Sequence, residues 1–210
     1  SFRGETYQKS INLIGAFQAE NLLMAAILVI LSGQNENEIF ENLVNIKPVR
    51  GRMELAATKK NGATIYIDYA HTPDAIEVAL KSLKPHILGK LIIIIGAGGE
   101  RDEGKRPLMG AAAEKNSDFV IITDDNPRNE NPSAIHQMIK NGTQDYSKVR
   151  VIADRAEAIL RAVALLEEGD GLLIAGKGHE TEQIVGENSF PFDDFEKASL
   201  SVASLDGIEK

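Results

Sequence analysis

Apolar residues along the chain fall into short blocks separated by polar, glycine-bearing stretches, and their period changes from block to block. Residues 18–43 carry apolar side chains at helical spacing with a break near Gly33, and residues 22–31 form the longest apolar stretch. That stretch is much shorter than the roughly 20 residues a bilayer-crossing helix needs, so it predicts a buried helix and no membrane span. Residues 45–51 lose all periodicity around Pro48, which divides a helical segment, 1–46, from a second domain, 47–210.

Beyond residue 47, runs with strand character alternate with runs of helical period. Strands are expected at 53–58, 63–68, 91–95, 119–122, 150–152 and 172–175. Helices are expected at 73–83, from Pro107, from Pro132 and over 155–167. Such alternation needs right-handed crossovers, and it predicts an α/β, Rossmann-like fold: a mostly parallel sheet with helices on both faces. The runs Leu91-Ile92-Ile93-Ile94-Ile95 and Leu172-Leu173-Ile174-Ala175 contain no polar residue, as mid-sheet strands buried on both faces require. Each leads into a glycine loop, Gly96-Ala97-Gly98-Gly99 and Gly176-Lys177-Gly178, where a backbone amide can approach a ligand closely.

Open α/β sheets bind ligands beyond the carboxyl ends of their strands, and the polar candidates sit there. Asp125-Asn126-Pro127-Arg128 follows the strand at 119–122. A guanidinium at that point can hold a planar carboxylate through two parallel hydrogen bonds, and Pro127 fixes a backbone dihedral ahead of it. The same four residues also suit an ordinary turn. In Gly96-Ala97-Gly98-Gly99-Glu100-Arg101, Arg101 stands where a dinucleotide fingerprint has its third glycine, which argues against a nicotinamide or flavin site. Arg101 is then either an anion receptor or a solvated charge. Asp68 and His71 end a strand just before Thr72 and Pro73 start a helix, and they suit ribose hydroxyls and phosphate or a local loop network. Glu180 in Gly178-His179-Glu180 lacks the second histidine of a zinc-hydrolase motif, and it is a candidate acceptor for an ammonium or an exposed glutamate. No set of residues reads as a metal site.

Composition narrows the alternatives. A formal charge of -8 argues against non-specific nucleic-acid binding. The absence of cysteine removes disulfides, thiolate zinc clusters and a cysteine nucleophile, and it fits a cytoplasmic location. The chain opens on Ser-Phe-Arg-Gly-Glu, so residue 1 is not expected to be the natural start. Neither a G-x-x-x-x-G-K-[ST] phosphate loop nor a G-x-S-x-G elbow occurs.

Five blocks occur in order: Gly51-Arg52-Met53-Glu54, residues 68–74, GAGGERDEGKR at 96–106, TDDNPR at 123–128 and AGKGHE at 175–180. Together they resemble the Mur ligases, above all those members that add meso-diaminopimelate to UDP-N-acetylmuramoyl-L-alanyl-D-glutamate in peptidoglycan synthesis. The resemblance implies that residues 47–210 are the carboxyl-terminal, amino-acid-binding domain and that 1–46 are the helical end of the central ATP-binding domain. It implies an ATP-dependent amide-forming ligase that uses Mg²⁺, whose phosphate loop, carbamylated lysine and Mg²⁺ ligands belong to amino-terminal and central domains outside this chain. No catalytic residue is expected here, and the piece alone is expected to be inactive. The implied diaminopimelate site is Arg101, Asp125, Asn126, Pro127, Arg128, Gly176 and Glu180. In it Arg128 and Arg101 take the distal carboxylate, while Glu180, Asn126 and the Gly176 carbonyl take the distal ammonium. Lysine lacks that carboxylate, so Asn126-Pro127-Arg128 favours diaminopimelate. The implied ATP contacts are Asn21 at the adenine, Arg52 at phosphate, Asp68 at the ribose and His71 beside them. Gln18 departs from the asparagine usual in its block. The rival readings are a ligase for another amino acid, either lysine-adding or folylpolyglutamate-type, and a non-catalytic ligand-binding module.

Overall fold

A strand with no polar residue needs cover on both faces, and Leu91–Ile95 (β3) and Gly171–Ala175 (β6), buried at every position, are the two central strands of a six-stranded sheet. In this computed structural model, which describes residue 4 and residues 6–207, the chain forms two compact units, Ser1–Val49 and Arg50–Lys210. The sheet belongs to the second unit. Its other members are Glu54–Thr58 (β1), Thr64–Asp68 (β2), Phe119–Ile122 (β4) and Val149–Val151 (β5), in the order β1-β2-β6-β3-β4-β5. All neighbours run parallel except the edge pair β1 and β2.

Alternation of side chains along the strands sorts the helices onto two faces. Ile65, Ile67, Ile92, Ile94, Ile121, Leu172 and Ile174 pack with Ala158, Ile159, Ala162 and Val163 of Arg155–Leu165 (α6) and with Ala198 and Val202 of Asp194–Asp206 (α7). The opposite face is covered by Pro73–Leu83 (α3), Lys105–Asn116 (α4) and Pro132–Lys140 (α5), which lie side by side. The expected mostly parallel α/β sheet is thus the observed one. Several helices start on a capping side chain, as when Thr72, Asn131, Asp154 and Asp193 each accept a backbone N–H of the first turn.

One charged contact ties the two helices of the first face to the ends of the strands. Arg155, at the start of α6, pairs with Asp194, at the start of α7, at 2.7 Å, and neither side chain is exposed. Arg155 also donates to the carbonyls of Asp124 (3.2 Å) and Ala175 (3.0 Å), which follow β4 and end β6. Burial opposes the charge on the guanidinium, but Asp194 outweighs it and holds the pKa above the ordinary arginine value.

Some expectations need correction. The apolar stretch at 22–31 is helical, within Ala16–Leu31 (α1), but only Ala26 and Ile30 of it are buried, and Leu28 and Leu31 are 61% and 69% exposed. Apolar residues at nearly every position leave the covered face unspecified, and within its own unit α1 packs on Glu36–Asn42 (α2) and borders Tyr7, Lys9 and Ile11. Helix α4 begins two residues before Pro107, because proline is tolerated within a first helical turn. Strand β5 is shifted by one residue from 150–152, and α6 stops at Leu165 instead of 167.

Three elements were not expected at all. Glu182–Val185 (β7) and Asn188–Pro191 (β8) form an antiparallel hairpin whose residues are largely exposed and so carry no burial pattern. Helix α7 follows it.

Candidate functional site

The loops that follow β2, β3, β4 and β6 converge beyond the carboxyl ends of these strands and enclose a cavity of about 210 Å³. Arg101, Asp125, Asn126, Arg128, Gly176 and Glu180 all line it, while Pro127 is buried in the loop between two of them. His71 and Lys105 line it as well. Four loops separate in sequence therefore deliver cations and acids to one concave surface.

Arg128 is held in place by its backbone before any ligand arrives. Its φ is 51°, in the left-handed region that side chains other than glycine seldom occupy. The β7–β8 hairpin sustains that conformation, since the Arg128 N–H donates to Ile184 O (3.1 Å) and Gly186 N donates to Arg128 O (2.8 Å). Gln183 Nε2 adds a bond to Asp125 O at 2.9 Å. The guanidinium in turn donates through Nη1 to the Gly99 carbonyl (2.9 Å) and, at 3.4 Å, to that of Asn126. Residue 99 must be glycine, because a Cβ there would lie 1.9 Å from the Pro127 carbonyl oxygen. The glycine loop is braced from behind by Arg106, fully buried, which pairs with Glu130 at 2.8 Å and donates to Gly98 O at 3.3 Å.

Asn126 and Glu180, which line the cavity, are linked to each other and to Lys177 behind them. Asn126 Nδ2 donates to Glu180 Oε2 (2.9 Å), and Asn126 Oδ1 accepts from Lys177 Nζ (2.9 Å) and Ile184 N (3.0 Å). An amide oxygen has two lone pairs, so Oδ1 is already filled. Its Nδ2 has two hydrogens and spends one on Glu180. Lys177 was missed in the sequence, although a lysine two residues after a buried apolar strand is a signal in itself: such a charge persists only with partners.

Asp125 is buried, and burial pushes its carboxyl pKa up against the opposing pull of Arg155 and Lys177. Residue 176 has φ +113°, which calls for glycine, and a Cβ there would also push on the Asp125 Oδ2, 2.6 Å away.

The residues expected at a nucleotide are arranged differently. Asp68 Oδ2 accepts from Met53 N and Oδ1 from Ala70 N, both at 2.8 Å, so its carboxylate anchors the loop network. Burial raises its pKa, while those two N–H groups and Arg52 draw it back down. Arg52 lies over the Tyr69 ring at 4.8 Å. His71 is exposed, with Nδ1 2.8 Å from Tyr69 O, which leaves Nε2 toward the surroundings. Asn21 is exposed on α1, in the other unit. Among the described residues no group of three or more His, Asp or Glu side chains is arranged to hold a metal ion.

The family model described as "Mur ligase, glutamate ligase domain" matches residues 51–178, and the chain belongs to the Mur ligase family. A protein of Bradyrhizobium diazoefficiens named UDP-N-acetylmuramoyl-L-alanyl-D-glutamate--2,6-diaminopimelate ligase is 48% identical over 202 residues, which is 96% of this chain and 41% of that protein. The protein of the same name from Caulobacter vibrioides is 44% identical over 98% of this chain and 41% of its own length. A solved structure of a ligase of that name superimposes with a TM-score of 0.73 at 36% identity, over 93% of this chain and 40% of that one. The chain thus spans about two fifths of the length of these relatives.

Proposed function

We propose that this chain is the carboxyl-terminal part of an ATP-dependent ligase that adds meso-diaminopimelate to UDP-N-acetylmuramoyl-L-alanyl-D-glutamate, and that its cavity receives the amino acid. The observation that carries this reading is the placement of Arg101 and Arg128 in the same cavity as Glu180. Diaminopimelate has an amino-carboxylate centre at each end. The distal carboxylate pairs with Arg128, whose Nε and Nη2 have no hydrogen-bond partner among the described residues, and with Arg101. The distal ammonium goes to Glu180. Relatives that carry the same name, at 44–48% identity, support that choice of amino acid.

These residues bind and orient; none of them forms a covalent bond with substrate. Holding the proximal amine at a fixed place turns its attack on an activated carboxyl into an effectively unimolecular step. ATP supplies the activation of that carboxyl, on the UDP-linked dipeptide held by the domains that complete the polypeptide. Arg52 and Asp68 fit a supporting role at the nucleotide, because each Asp68 oxygen keeps one lone pair beyond its backbone contact and the Arg52 guanidinium is exposed. We assign Mg²⁺ to ligands outside this chain. No helix among the described residues is long and apolar enough to cross a membrane, and an enzyme that uses ATP and a UDP-linked substrate belongs in the cytoplasm.

The test is reconstitution. The full-length protein should release phosphate from ATP only when diaminopimelate and the UDP-linked dipeptide are both present, and this chain by itself should release none. ATP turnover by the isolated chain that depends on both substrates would refute the reading.

A further inference from the structure

Lys177 is wholly buried, and it does not itself line the cavity. Its two hydrogen bonds go to residues that do: Asn126 Oδ1 at 2.9 Å and Glu180 Oε2 at 3.1 Å. An ammonium group has donors only, so contact with it decides which end of the Asn126 amide is the oxygen. The Ile184 N–H, another pure donor, reaches the same oxygen at 3.0 Å. The Glu180 carboxylate, an acceptor, takes Asn126 Nδ2 at 2.9 Å. Turning the amide over would set an NH₂ against an ammonium and an N–H, and a carbonyl against a carboxylate, so all three neighbours enforce one orientation.

We propose that Lys177 is a positioning residue for selection of the amino acid. It locks Asn126 so that an N–H faces the ligand's distal carboxylate, and it holds Glu180 by Oε2, leaving Oε1 for the distal ammonium. This rests on the function proposed above and deepens it, because the choice between a ligand with a distal carboxylate and one without is written into a lysine that touches neither. A lysine ligand leaves the fixed Asn126 N–H and the Arg128 guanidinium both without a carboxylate. With the Lys177 ammonium gone, the amide loses the charged one of the three contacts that fix it, and Glu180 loses a charge partner. Both changes favour an ammonium-only ligand over a zwitterionic one.

Calorimetric titration of this chain with meso-diaminopimelate and with lysine tests the proposal in four forms: wild type, Lys177→Met, Asn126→Ala and Asn126→Asp. Melting curves show which variants keep the fold. Asn126→Asp should bind diaminopimelate about tenfold more weakly than Asn126→Ala, because it faces the ligand carboxylate and Glu180 with a second negative charge. Lys177→Met should weaken diaminopimelate binding while reducing its preference over lysine. Equal loss for both ligands in Lys177→Met means only a structural role and overturns the proposal. So does an Asn126→Asp variant that binds diaminopimelate as well as Asn126→Ala, a comparison that stands even if Lys177→Met fails to fold. Failure of the wild-type chain to bind diaminopimelate at all instead sinks the proposed function, and the inference with it.

Discussion

Arg128→Ala in the full-length ligase should weaken use of diaminopimelate by roughly a hundred- to a thousandfold while leaving the KM for ATP nearly unchanged. Truncating one partner of a hydrogen-bonded charge pair costs about 2 to 5 kcal/mol, and each tenfold in affinity corresponds to about 1.4 kcal/mol. The loss is large because Arg128 enters the cavity already fixed: its backbone is clamped by Ile184 and Gly186, and one arm of its guanidinium rests on Gly99 O. Little side-chain freedom remains to be lost when a carboxylate arrives. Arg128→Lys should recover little, because an ammonium cannot reproduce the two-pronged geometry of a guanidinium. Arg128→Gly separates chemistry from backbone, since glycine accepts the φ of 51° without strain, and it should show the same loss as the alanine variant. Steady-state kinetics with each substrate varied in turn gives the answer; equal damage to ATP and diaminopimelate would count against the assignment.

Asp194→Ala should destabilise the domain by about 3 to 5 kcal/mol, because it leaves the Arg155 guanidinium buried without its partner. Arg155 has no protonation route out of the difficulty, since arginine stays charged at any ordinary pH. Its remaining acceptors, the Asp124 and Ala175 carbonyls, carry no full charge to offset it. Because those carbonyls border the loops of the cavity, the site should loosen with the fold. Replacing both members by apolar residues, Arg155→Met with Asp194→Leu, should restore most of the stability, since an apolar pair of similar volume needs no desolvation of charge. Urea denaturation of the single and double variants measures both effects.

The sheet was legible because its central strands, Leu91–Ile95 and Gly171–Ala175, have no polar face to misplace, and glycine loops mark where each one ends. Arg101, Asn126, Arg128 and Glu180 stood out for a related reason: polar residues at the carboxyl ends of such strands have little structural work to do there. The β7–β8 hairpin was not legible. It buries almost nothing and works through hydrogen bonds to Asp125, Asn126 and Arg128, made by its backbone and the Gln183 amide, which leave no trace in the hydrophobic pattern. Its two-residue turn, Gly186-Glu187, is the one local cue, as Asp193 with Glu196 is for the start of α7. The orientation of Asn126 lay beyond reach for another reason, since its amide is held by Lys177, Glu180 and Ile184, all more than 50 residues away in sequence. The exposed face of α1 was misjudged because hydrophobicity reports what wants cover and not what provides it.

The central claim is that the cavity clasps an amino-carboxylate head through Arg128 and Glu180 together. Titrating this chain with meso-diaminopimelate and lysine side by side tests it most directly: the account predicts saturable binding of diaminopimelate, with lysine weaker by two orders of magnitude or roughly so. Equal affinity for the two ligands would contradict it.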